Sequence, residues 1–106
     1  MIDADDARNY LAKVGKRGLR TLSTIESLAP FVEAMQSDLG AELLKDDIEQ
    51  HSILINKIYD GLINTGEAEQ KDVIELRLRD ARLKKIYDRL KTYDVGVNLV
   101  KKIANE

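Results

Sequence analysis

His51 is the only histidine in the chain, so a serine, histidine and acid triad would have to be built on it. Its neighbour Ser52 lies in a helical pattern, where adjacent residues point to different faces, and cannot serve as the nucleophile. A di-iron bundle site needs Glu three residues before the histidine, and that position is Ile48. Gly15 and Lys16 carry the Gly-Lys of a phosphate loop. Tyr10 stands where its leading glycine belongs, however, and Arg17 where it needs Ser or Thr. Asp46 and Asp47 have the chemistry to hold a hard cation, but beside Lys45 they read as a solvated outer face. With no cysteine there is no disulfide, zinc-thiolate site or thiol nucleophile. The expectation is a protein with no catalytic residues, no metal and no cofactor.

Charge is the second place where residue type and spacing point to chemistry. The 17 Lys and Arg nearly balance 19 Asp and Glu, for a net charge of -2, yet their distribution is uneven. Arg8, Lys13, Lys16, Arg17 and Arg20 fall in a stretch without a single acid. These five residues are the candidate contacts for nucleic acid or an acidic partner surface. From Phe31 to Asn64 there are seven acids and two lysines, and from Arg77 to Lys91 seven basic residues against Asp80 and Asp88. Arg77, Lys84 and Lys91, at heptad spacing, form a stripe that could meet phosphates. Complementing the acidic neighbouring helix is the favoured role for that stripe.

The elements that must position these residues are helical. One proline, six glycines and abundant Leu, Ile, Ala, Lys, Glu and Asp predict an all-α chain, expected to form a single domain over residues 1–106. A short helix from Asp3 to Val14 should end at Gly15 or Gly18, completing a basic amino-terminal arm over residues 1–22. Ser23 to Glu26 reads as a capping box, and Pro30 as a kink or a restart. A long antiparallel helical hairpin, coiled-coil-like, is expected over residues 23–93. Its first helix runs from Phe31 to Asn64, its turn is Asn64 to Gly66, and its second helix runs from Glu67 to about Tyr93. Asp94 is the expected N-cap of a short last helix within residues 94–106.

Two apolar seams support the hairpin. Leu44, Ile48, His51, Ile55, Ile58 and Leu62 alternate steps of four and three, and Val73, Leu76, Asp80, Leu83, Tyr87 and Leu90 alternate steps of three and four. Folded about one turn, the seams match level by level. Ile58 meets Val73, Ile55 meets Leu76, His51 meets Asp80, Ile48 meets Leu83 and Leu44 meets Tyr87. A histidine facing a carboxylate suits either a pH-responsive pair or a polar pair that fixes register, and the register role is the better attested.

Phe31, Leu43, Leu54, Leu62, Ile63, Ile74, Leu78 and Ile86 fall beside or behind the seams and need cover. Self-association into a homo-oligomer, or another protein, is the expected partner, with nucleic acid the alternative. No membrane partner is expected, because no apolar run has the length of a span and the amino terminus is acidic where a signal peptide would be basic. The chain reads as soluble and intracellular.

The stretch from Leu28 to Ile103, with its long acidic helix, Gly-containing turn and shorter basic helix through Leu76, Arg77, Leu78, Arg79, Asp80, Ala81, Arg82 and Leu83, resembles short helical-hairpin proteins from the head and tail assembly genes of tailed bacteriophages. The resemblance implies a non-enzymatic structural or morphogenesis role, in the host cytoplasm and the virion. Small terminase subunits, helical oligomers that bind DNA during packaging, are a neighbouring class. They give the alternative in which the basic arm contacts nucleic acid.

Overall fold

The computed structural model describes residues 2–106, which contain four helices and no strand. Helix α1 is Ala4–Val14, α2 is Lys16–Gln36, α3 is Asp38–Thr65 and α4 is Gln70–Ala104. The described residues form two compact units. The first joins the chain up to Ala34 with Asp88–Glu106, and the second is Met35–Tyr87.

In the first unit, Asp3 caps α1 by accepting a hydrogen bond from the Asp5 backbone N–H at 3.1 Å. Gly15, at φ 63°, ends the helix as expected, with its N–H bonded to the Leu11 carbonyl. Gly18 does not end a helix. It is buried in the first turns of α2, where an added Cβ would come within 2.7 Å of Tyr10 Cε1. The core is Tyr10 from α1, Leu22, Ile25, Ala29 and Val32 from α2, and Tyr93 and Val100 from α4. The α2 residues recur at steps of three and four, one helical face.

Three expected boundaries are overturned within these helices. Ser23 and Glu26 form no capping box, because both lie inside α2, and the neighbouring Thr21 and Thr24 hydroxyls bond back to the Arg17 and Arg20 carbonyls. Pro30 lies inside α2 and does not restart it, so of its two expected roles, a kink or a restart, the restart is the one overturned. The proline is exposed, while Ala29 and Val32 on either side of it are buried, and that packing holds the helix through a position its local chemistry disfavours. Asp94 caps nothing, since α4 runs uninterrupted through it and Tyr93 and Val100 bury one continuous face.

In the second unit the break expected at Pro30 falls at Ser37 instead. The Ser37 side chain accepts the Gly40 N–H at 3.1 Å and so satisfies one of the orphan donors that open α3. The turn is where the sequence put it. Gly66, at φ 76°, closes α3 with its N–H on the Leu62 carbonyl, and α4 starts a little later than Glu67, at Gln70.

Candidate functional site

Side chains of α3 and α4 meet in antiparallel order: Lys57 with Asp72, His51 with Asp80, and Asp47 with Arg79 and Arg82. The residues that turn inward differ from those expected. Leu44, His51 and Ile58 are at least half-buried, as are Leu76, Leu83 and Leu90, so one half of each seam stands. The other half is corrected. Ile48, Ile55, Leu62, Val73, Asp80 and Tyr87 are exposed, and the covered positions are one residue earlier, at Asp47, Leu54, Gly61, Asp72, Arg79 and Ile86.

The reason is ion pairing. Asp72 is 6% exposed and lies 3.2 Å from the Lys57 ammonium, in the first turn of α4, where the helix dipole also favours a carboxylate. Asp47 accepts from Arg82 at 2.8 Å and sits 3.7 Å from Arg79, which is held in turn by Glu75 at 3.0 Å. Asp47, expected on a solvated face, is thus part of the charged edge where α3 and α4 meet. Once paired, these charges occupy the inner positions and turn the neighbouring apolar residues outward.

That leaves the two edges of the α3–α4 pair unlike. One carries Lys57, Asp72, Asp47, Arg82 and Glu75. The other is a furrow lined by Ile48, His51, Asp80, Leu83, Lys84 and Tyr87, with Ile55, Leu62 and Val73 exposed at heptad steps along it. His51 Nε2 lies 3.4 Å from Asp80 Oδ1, within ion-pair range, yet it is buried and makes no hydrogen bond. The expected pair is therefore present as proximity, with Asp80 itself 67% exposed. Near the turn, Glu69 sits 3.2 Å from Lys71 and raises the lysine's pKa through a hydrogen bond and its charge. On the basic side, the lysine of that exposed pair keeps its charge until pH rises beyond the ordinary lysine range.

The basic arm divides. Lys13 Nζ donates to the main-chain oxygens of Ile103 at 3.0 Å, Ala104 at 3.1 Å and Glu106 at 2.6 Å, and so caps the carboxy-terminal end of α4. Arg8 is exposed on α1. Lys16, Arg17 and Arg20 are exposed in the first turns of α2, a helix end whose dipole is positive and which has no acid in its first turn. Arg89, from the basic stretch of α4, stacks 5.2 Å from the Phe31 ring centre.

Among the described residues no three His, Asp or Glu side chains gather to hold a metal, and no helix is long and apolar enough to cross a membrane. The fold and its surfaces define an all-helical protein with one ion-paired and one apolar edge on its α3–α4 pair. No family model, characterised protein or solved structure matches the chain.

Proposed function

We propose that this chain is a helical interaction and assembly protein that carries out no chemistry of its own and associates with itself. In this reading α3 and α4 are an antiparallel, coiled-coil-like hairpin acting as a docking element. The observation that carries it is the run of exposed Ile48, Ile55, Leu62, Val73 and Tyr87 along one edge, beside a furrow in which Ile48, Leu83 and Tyr87 alternate with His51, Asp80 and Lys84. Apolar residues at heptad steps on a paired helix are what a bundle buries against further helices. Following the resemblance to bacteriophage assembly hairpins, we further propose a structural or morphogenesis role in a virion.

A second reading is supported by Lys16, Arg17 and Arg20, which crowd the positive end of α2 and have no acidic partner among the described residues. Like charge at that helix end is locally unfavourable, and a phosphate backbone would relieve it. Light scattering on the full chain, with and without duplex DNA at low and high salt, separates the two. Self-association that persists in high salt without DNA supports the assembly reading, because apolar packing is not screened. A complex that forms only with DNA and dissolves with added salt supports the second.

A further inference from the structure

We infer that the apolar edge of the α3–α4 pair is the docking face for a second copy of this chain, with each α3 lying against the partner's α4. The inference rests on the self-association reading above and specifies its surface and geometry.

Consider the seam as a heptad in which Leu44, His51 and Ile58 are the a positions of α3. The d positions are Asp47, Leu54 and Gly61, and these a and d residues are the ones turned toward α4. The e positions are Ile48, Ile55 and Leu62, all apolar and all exposed. On α4, with a at Leu76 and Leu83, the d positions are Asp72, Arg79 and Ile86 and the e positions are Val73, Asp80 and Tyr87. A two-helix pair needs only a and d, whereas a stripe widened to e is the pattern of helices that also bury against another layer. In an antiparallel pair the two e stripes emerge on the same side, and the furrow that joins Ile48 to Tyr87 shows that they do so here.

The size of the face fits one further copy. From Leu44 to Thr65 the pair is about 30 Å long and about 20 Å wide, giving roughly 600 Å² per copy. A standard interface takes about 800 Å² per partner, and packing accidents take less than half of that. Ion pairs close the opposite edge, so they do not compete for this one.

Charge selects the orientation. α3 carries six acids and two lysines, whereas α4 as far as Tyr87 carries six basic residues and three acids. A two-fold axis across the helices would lay α3 on α3 and α4 on α4, like charge on like. An axis parallel to the helices lays α3 on the partner's α4 and preserves every level. Glu49, on the outer edge of α3, and Lys84, beside the furrow, have no ion-pair partner among the described residues. Counted from the His51–Asp80 level at 1.5 Å per residue, Lys84 lies within about 3 Å of the height of both Glu49 and Lys45, so it is the net charge of the two helices, not this pair, that favours the parallel axis. Asp80 is the one charge in the e stripes, and His51 stands beside it when the face is covered.

The test is the molar mass of the full chain in solution, together with crosslinking between copies. The expected mass is twice that of one chain. Ile55→Glu, and independently Tyr87→Glu from the other helix, should reduce it to one chain with helix content unchanged, because both residues are exposed in the isolated chain. Ile74→Glu with Leu78→Glu, away from the face, should leave it doubled. The chain has no cysteine, so Ser52→Cys in one sample and Arg77→Cys in another give single thiols. Mixed and treated with a short bismaleimide, the two samples should crosslink to each other and not to themselves. Self-crosslinking of Ser52→Cys would overturn the orientation. Association that survives both Glu variants, or that is lost in the Ile74, Leu78 variant, would overturn the face while leaving self-association standing. A native chain that stays at single mass at every concentration would overturn both.

Discussion

Asp72, buried at 6% exposure, takes the Lys57 ammonium at 3.2 and 3.3 Å on its two carboxylate oxygens, joining the first turn of α4 to α3. Removing one partner of such a pair leaves the other uncompensated, which is more damaging than the pair's net contribution suggests. Lys57→Ala is expected to destabilise the fold by about 1 kcal/mol, since the helix dipole still supports the carboxylate. Asp72→Ala should cost about 1–3 kcal/mol, because it removes the helix-end charge as well. Urea unfolding followed by circular dichroism checks both values. Two neutral variants would mean that the contact is incidental.

His51 leads to the opposite expectation. Its Nε2 is buried without a hydrogen bond, and the Asp80 carboxylate beside it is mostly exposed. Replacing a poorly satisfied polar side chain with an apolar one of similar bulk is often neutral or stabilising. His51→Leu should therefore leave stability unchanged or raise it by up to about 1 kcal/mol. A double-mutant cycle with alanine at His51 and Asp80 should give a coupling below about 1 kcal/mol, as for exposed ion pairs. A larger coupling would show that the pair holds the register of the two helices.

Lys13 and Lys16 belong to the same basic stretch but should behave differently. Lys13 meets three main-chain oxygens at the end of α4, so Lys13→Met should cost about 1–3 kcal/mol, the range for hydrogen bonds made by a charged donor. Lys16→Ala, at an exposed position, should shift stability by about 0.5 kcal/mol or less. Amide hydrogen exchange gives a second readout. Protection should fall selectively around Val100 to Ala104 in the Lys13 variant, and unchanged protection there would refute the capping role.

Gly18 is expected to be intolerant of even a methyl group. A Cβ there would stand 2.7 Å from Tyr10 Cε1, in a ring that is 1% exposed and has no free space to enter. Overpacking of this kind costs about 1–3 kcal/mol, while the better helix propensity of alanine returns about 1. Gly18→Ala should therefore be net destabilising, and the double variant with Tyr10→Leu should be less destabilised than the sum of the two single changes. A stabilised Gly18→Ala would mean that Tyr10 has room to move.

Much of this protein could be read from its residues alone. The helical class follows from composition, because summed propensity and a 3.6-residue period are local properties that survive any packing. The turn at Gly66 was legible for a similar reason, since a left-handed residue is needed where α3 stops and glycine accepts it without strain. His51 and Asp80 were placed level with one another, and they lie 3.4 Å apart. The rotation of each helix about its own axis was not legible. Steps of four and three fit Leu44, Ile48, His51 as well as steps of three and four fit Leu44, Asp47, His51, and hydrophobicity favoured the first set. Tertiary structure decided for the second, because Asp47, Asp72 and Arg79 find opposite charges across the α3–α4 contact, and a paired charge can occupy a position that an unpaired one cannot. Pro30, Ser23 and Asp94 carry local signals for helix ends that α2 and α4 override by burying Ala29, Val32, Tyr93 and Val100 along continuous faces. Such burial depends on what the rest of the chain supplies as a neighbour, and no window of sequence around those residues contains it.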